Sequence, residues 1–135
     1  MEITVSQAQG RVSVSILTLE GQLDGQTYQQ LIEEAVRLYK EGARDFLIDL
    51  SKVSFMSSAG MVALHTVALL ARGDKLPDME QGWSTLKSMS RDRGAKSEHV
   101  RLLSPSPEVQ KVLEMVGFTQ AFDILTDKEQ AVQAF

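Results

Sequence analysis

Short, mostly apolar stretches alternate along this chain with longer stretches whose apolar residues recur at helical spacing, and this alternation constrains the fold more than any other feature. Residues 45–50 form a nearly continuous apolar run, which is typical of a central strand buried on both faces. From about residue 58 to Arg72 the chain is apolar on nearly every side, which predicts a well-buried helix. Strands that alternate with helices predict an α/β fold with a largely parallel sheet.

The remaining segments continue this order, and a chain of 135 residues has the size of one domain. We therefore expect a single domain over residues 1–135, with a mixed, mostly parallel sheet of about five strands and about four helices. The predicted strands cover residues 2–8, 12–19, 45–50, 100–103 and 122–125, and the predicted helices follow Thr27, begin near Ser58, follow Ser106, and run from Thr126 to Phe135. Thr27 with Gln30, and Thr126 with Glu129, have the spacing of a capping box.

Two connections need separate treatment. Residues 73–98 are polar and long for a link between a helix and a strand, so we predict a long insertion after the second helix. It contains Trp83 and a basic run from Arg91 to Lys96. Residues 51–58 are expected to form a polar loop, with Val53, Phe55 and Met56 tucked inside it.

Composition excludes several classes of function. Cysteine is absent, which removes disulfides, thiolate metal sites and a cysteine nucleophile. The formal charge of −4 argues against a nucleic-acid partner. The two histidines lack the spacing of a zinc site, so we expect neither metal nor cofactor. No targeting segment or membrane-spanning run is visible, and a cytoplasmic location with no membrane insertion is expected.

Ser57 and Ser58 stand where the predicted central strand ends and the predicted buried helix begins. The N-terminus of a helix carries free N–H groups and partial positive charge, so a phosphate would be accommodated there. Gly60 keeps bulk away from the same helix end. Physical chemistry alone favours a plainer role, in which Ser57 or Ser58 is an N-cap.

A serine hydrolase is the remote alternative for the same junction. Ser58, His65 and Asp49 can be imagined as a triad, but Met56 stands where a nucleophile elbow would need its first glycine. A P-loop is also absent. We therefore expect no enzyme and no catalytic residues, with His65 packed or partly exposed and Asp49 fixing a loop.

The junction also resembles a known family. Asp49-Leu50-Ser51-x-Val53-x-Phe55-Met56-x-Ser58-Ala59-Gly60-Met61 is similar to the signature of STAS domains, which occur as anti-sigma factor antagonists and as tails of sulfate transporters. Gly21-x-Leu23-Asp24 is similar to a second marker of that family. Leu102-x-Ser104 and Val109-x-x-x-Leu113-x-x-x-Gly117-Phe118 resemble its second half. The resemblance extends over the chain except about residues 73–98.

The resemblance implies a small α/β protein that switches a protein–protein interaction. Its partner would be an anti-sigma factor that is a serine kinase of the GHKL type, with a phosphatase to reset the switch. The phosphorylated position would be Ser58, and less favourably Ser57, which stands where the family usually has an aspartate. Asp24, Ser57, Ser58, Gly60 and Met61 would form or flank the docking surface.

Two further points stay open at this stage. A STAS domain can also act without phosphorylation, as a scaffold in a larger signalling assembly or as a regulator of a transporter, and Ser57 in place of aspartate fits that alternative. A homodimer is left open as well.

Overall fold

A computed structural model describes residues 1–73 and 97–135. In this part of the chain, five strands and five helices follow one another. They are β1 (Glu2–Gln9), β2 (Ser13–Leu23), α1 (Tyr28–Lys40), β3 (Phe46–Met56), α2 (Ser58–Ala71), β4 (Val100–Leu103), α3 (Pro107–Met115), α4 (Phe118–Ala121), β5 (Asp123–Leu125) and α5 (Lys128–Gln133).

The five strands form one mixed sheet in the order β1-β2-β3-β4-β5. The hairpin of β1 and β2 is antiparallel, and each of the other three pairings is parallel. Since each parallel neighbour is reached through a helix, the α/β fold predicted from the alternation of segments is confirmed.

Helices cover both faces of the sheet, but unequally. The larger core lies between one face of the sheet and α1, α2 and α3, and includes Phe46, Ile48 and Leu50 of β3. Leu47 points to the opposite face, where α5 supplies Ala131 and Val132. This two-sided burial explains why the first half of β3 reads as an almost unbroken apolar run.

The second half of β3 differs from the sequence prediction. Residues 51–56 continue the strand, where a polar loop was expected. Two register shifts against β2 each give β3 one extra residue, between Asp49 and Lys52 and again between Val53 and Phe55. These β-bulges break the alternation of buried and exposed residues, and for that reason the segment does not look like a strand in the sequence. Val53 and Met56 are buried as predicted.

Several helix ends also differ from their predictions. The Thr27 hydroxyl makes no capping bond to α1; it accepts from the backbone N–H of Asp24 and donates to the carbonyl of Gln22. The cap of α5 is Asp127, not Thr126, and its carboxylate accepts from the N–H of Gln130. The short helix α4 follows Gly117, whose positive φ of 79° ends α3, so the described part of the chain has five helices where about four were expected.

The cap predicted at Ser106 is confirmed, since its hydroxyl accepts from the N–H of Val109. The predicted insertion, with Trp83 and the basic run from Arg91 to Lys96, falls largely outside the described residues.

Candidate functional site

The candidate site lies at the carboxyl ends of β2 and β3. These strands are parallel neighbours, and their last residues, Leu23 and Met56, are paired in register. The N–H of Ser57 donates to the carbonyl of Leu23 over 3.0 Å, which carries the ladder one residue beyond β3. The β2–α1 loop and the start of α2 are therefore brought together, at the sheet edge where α/β proteins commonly place their sites.

Ser58 is exposed and is the first residue of α2, so the predicted start of this helix is confirmed. The first hydrogen bond of the helix runs from the N–H of Met61 to the carbonyl of Ser57, which makes Ser57 the N-cap. The first turn of α2 contains no acidic side chain. A phosphate on the Ser58 hydroxyl would be attracted by the partial positive charge of the helix end. No carboxylate in the first turn would repel it.

Ser57 is an N-cap by position, but its hydroxyl does not act as one. No side-chain capping bond is formed, and the Oγ atom is buried without a hydrogen-bond partner among the described residues. The residue as a whole is half-buried. The two adjacent serines thus differ in access: the hydroxyl of Ser57 faces inward, whereas Ser58 is exposed.

Gly60 and Met61 lie beneath the site, not on its surface. Met61 is buried in the larger core. Gly60 is buried where α2 crosses the ends of the two strands, and a Cβ atom there would lie 2.7 Å from the carbonyl oxygen of Leu23 and 2.9 Å from the Cγ of Met56. Only glycine lets α2 approach β2 this closely. Gly60 therefore sets the distance between the N-terminus of α2, where Ser58 lies, and the sheet.

We expect Gly60→Ala to lower the free energy of unfolding by roughly 1–3 kcal/mol, because the added methyl group must push the backbone of Leu23 away. The measurement is a urea titration followed by circular dichroism. Gly25→Ala is the matched control, since a Cβ atom at Gly25 meets nothing within 4 Å. Equal free energies of unfolding in the two variants would show that α2 does not approach Leu23 closely at Gly60.

Asp24 follows β2 and stabilises the loop that faces α2. Its carboxylate accepts from the N–H of Gln26 over 2.9 Å, and its carbonyl accepts from the N–H groups of Thr27 and Tyr28. The side chain remains half-buried. Asp24 therefore shapes the β2–α1 loop, and it borders the same sheet edge as Ser58.

The β4–α3 loop supports the site from its other side. The Ser106 hydroxyl reaches the carbonyl of Val53 in β3 over 3.4 Å. Ser104 adopts a positive φ of 49°, unusual for a serine, and its backbone N–H donates to the carbonyl of Leu125 over 2.7 Å. The bulged half of β3 is thus held between β2 and the beginning of α3, while β4 pairs with β3 no further than Asp49.

Phe55 is the feature of the site that sequence reasoning missed. It was expected to be tucked inside a loop, but its side chain is 50% exposed. The bulge beside Val53 turns it outward, and it stands opposite Gln22 of β2, three residues before Ser58. Aromatic side chains are enriched at protein–protein interfaces, so this exposed ring is a candidate contact for a partner.

The imagined hydrolase triad is not assembled. Ser58 and His65 are seven residues apart on one helix, which places them roughly 10 Å apart along the axis, too far for direct proton transfer. The carboxylate of Asp49 accepts from the N–H of Ser51, which fits its predicted loop-fixing role, now within a bulged strand.

The other histidine also has a local role. His99 places its Nδ1 atom 2.9 Å from the carboxylate of Asp45 and joins the segment before β4 to the segment before β3. Among the described residues, no group of three or more histidine or acidic side chains could hold a metal ion. Within the same residues, no helix is both long and apolar enough to cross a membrane.

Comparison with known proteins agrees with the fold. Residues 6–72, which include β2, α1, β3 and α2, match the model of the STAS domain. SpoIIAA, an anti-sigma factor antagonist, superposes in its unphosphorylated form with a TM-score of 0.62 over 97% of this chain and 93% of that chain, at 18% sequence identity. The chain belongs to the STAS domain family.

Within that family its likeness is to anti-sigma factor antagonists. BtrV of Bordetella bronchiseptica, named as a candidate anti-sigma factor antagonist, is 27% identical over 135 residues, which are the whole of this chain and 95% of BtrV. An anti-sigma factor antagonist from Mycobacterium paratuberculosis has a TM-score of 0.65 over 98% of this chain and 93% of that chain, at 19% identity. The protein is therefore similar in sequence and fold to proteins named as anti-sigma factor antagonists.

Proposed function

We propose that this protein is a non-enzymatic switch that binds an anti-sigma factor, a serine kinase of the GHKL type, and releases it when Ser58 is phosphorylated. The observation that carries the proposal is the exposed Ser58 at the first residue of α2, three residues after the exposed Phe55. A phosphatase would reverse the modification. The similarity to proteins named as anti-sigma factor antagonists supports this class of partner.

Access favours Ser58 over Ser57 as the phosphorylated residue. A kinase must reach the hydroxyl oxygen, and the Oγ atom of Ser57 is buried whereas Ser58 is exposed. Ser57 is also uncharged, so a phosphate on Ser58 has no carboxylate as its immediate neighbour on the N-terminal side. Serine at position 57, in place of the family's usual aspartate, therefore lowers the electrostatic cost of phosphorylating Ser58. Because the Ser57 hydroxyl is buried, it does not offer the kinase a better phosphate acceptor.

The helix end should tolerate the phosphate in the free protein. A phosphoserine adds about −1.5 to −2 charge. At the N-terminus of a helix such a charge gains about 0.3–1 kcal/mol from the helix dipole. Because Ser58 is exposed, the phosphate needs no rearrangement of the core. Phosphorylation should therefore leave the fold intact.

A partner packed over the same surface would not tolerate the charge equally. An acidic group about 4 Å away repels each unit of charge by about 4 kcal/mol at an effective dielectric constant of 20. This repulsion exceeds the gain from the helix dipole several-fold and corresponds to a roughly 10³-fold loss of affinity. Repulsion at the interface, not unfolding, would operate the switch.

Phosphorylation is tested by incubation with ATP and the cognate kinase, followed by peptide mass spectrometry. We expect one phosphate, on Ser58, and none in Ser58→Ala. Ser57→Ala is the matched variant, and it should be modified as wild type is, since the Ser57 hydroxyl is buried. A chain that carries phosphate on neither serine would rule out the switch.

A second candidate function is a STAS scaffold in a larger signalling assembly or a regulator of a transporter. Ser57 in place of the family's aspartate is the observation that favours it. In that case the protein would remain in a stable assembly whether or not kinase and ATP were present. Gel filtration of the native complex before and after kinase treatment distinguishes the two functions.

A further inference from the structure

The outer edge of β1 offers eight residues of strand with no partner in the described part of the chain. β1 pairs with β2 on one side, in a continuous register from Glu2 to Gln9, and is the last strand of the sheet on the other side. The opposite edge of the sheet is β5, which has three residues. Among the described strands, the β1 edge is therefore the longer of the two sheet edges.

Proteins usually protect such an edge against pairing with another chain by a lysine, a proline, a β-bulge or a short strand. β1 contains neither lysine nor proline, and its register with β2 shows no shift. Its one charged residue is Glu2. The strand is thus long, regular and nearly uncharged.

β1 is amphipathic, with an apolar face towards the larger core and a polar face on the opposite side of the sheet. Ile3 and Val5 are half-buried and pack against the larger core, whereas Thr4 and Ser6 are exposed on the opposite face. An added strand must keep this alternation, because residues that stand directly opposite each other across a sheet point to the same face. This requirement limits the registers that a second chain can adopt.

We propose that β1 pairs with β1 of a second copy of this chain, antiparallel about a twofold axis at Val5, to form one ten-stranded sheet. In this register Val5 faces Val5 of the other copy, Ile3 faces Gln7, and Thr4 faces Ser6. Glu2 faces Ala8, so no like charges are opposed. The two Glu2 residues are separated by six residues of strand, or roughly 20 Å, well beyond the Debye length at physiological salt.

The same pairing leaves the candidate switch free in each copy. The twofold axis reverses the strand direction, so the carboxyl ends of β2 in the two copies point away from each other. Each copy keeps its own Ser58 at one end of the joined sheet. A single strand ladder is smaller than a standard interface of about 1,600 Å², so we expect a weak, concentration-dependent dimer.

The absence of native cysteine allows a direct test of the register. Directly opposed residues have Cα atoms about 4.5–5.5 Å apart, which is within the range of a disulfide. Under mild oxidation Val5→Cys should therefore form a covalent dimer at least about tenfold faster than Glu2→Cys, whose thiols would be roughly 20 Å apart. Equal rates of cross-linking in the two variants would overturn the proposal.

Paired charges at exposed positions give a second test that does not depend on cysteine. Thr4→Lys with Ser6→Lys opposes like charges across the axis and should shift the sedimentation profile of the protein towards monomer. Thr4→Lys with Ser6→Glu opposes unlike charges and should shift the sedimentation profile towards dimer. The dissociation constants of the two double variants should differ by about tenfold or more. Both residues are exposed, so circular dichroism should report the same fold. Identical sedimentation of the two double variants would refute the dimer, whatever the outcome for Ser58.

Discussion

Ser58→Asp should abolish binding to the proposed anti-sigma kinase while leaving the fold unchanged. The aspartate places one negative charge at the N-terminus of α2, in the middle of the proposed contact surface. Repulsion of about 4 kcal/mol from an acidic group of the partner about 4 Å away corresponds to a roughly 10³-fold loss of affinity. Isothermal titration calorimetry gives the affinity, and circular dichroism with thermal unfolding reports the fold.

Two variants separate this effect from general changes in charge or shape. Ser58→Ala should bind the kinase as wild type does but resist modification. Ser13→Asp adds the same charge at an exposed serine at the beginning of β2, the end of the strand opposite the site, and should leave affinity unchanged. If Ser58→Asp bound as tightly as Ser13→Asp, the partner surface would lie elsewhere on the molecule.

Phe55→Ala should weaken the same complex by about 2 kcal/mol or more, or roughly 30-fold in affinity, because a buried aromatic anchor commonly supplies this much at an interface. The ring is 50% exposed in the free protein, so its removal should cost little stability. Calorimetry against the kinase measures the first effect, and urea unfolding measures the second. The kinase should bind Phe55→Ala more weakly even before any phosphate is added.

Met115→Ala is the matched control for an exposed apolar side chain. Met115 is 85% exposed and ends α3, which begins near Val53 and runs away from the site for nine residues. Its removal should leave affinity unchanged. Unchanged affinity in Phe55→Ala as well would mean that the ring does not contact the kinase, even if Ser58 does.

Local sequence patterns were sufficient to predict the order of the elements and the position of Ser58. The start of α2 was predictable because the apolar run and the preceding serines are consecutive in sequence. The cap at Ser106 was predictable for the same reason, since it depends on a hydroxyl and an N–H group three residues apart.

Other features of the site depend on residues far apart in sequence. The outward turn of Phe55 requires two bulges, and a bulge is a mismatch between β3 and β2 that neither strand reveals alone. Thr27 has the spacing of a capping box, but its hydroxyl binds to Gln22 and Asp24, because the end of β2 lies within reach. The pairing of His99 with Asp45 links residues fifty-four positions apart.

The sequence by itself determined the succession of strands and helices and the placement of a hydroxyl at the beginning of α2, because short-range periodicity and capping are properties of neighbouring residues. The tertiary structure alone decided which of the two serines is accessible, which ring faces the solvent, and how closely α2 approaches β2. Those outcomes depend on the register of parallel strands and on the space above Gly60, which arise when distant segments pack together.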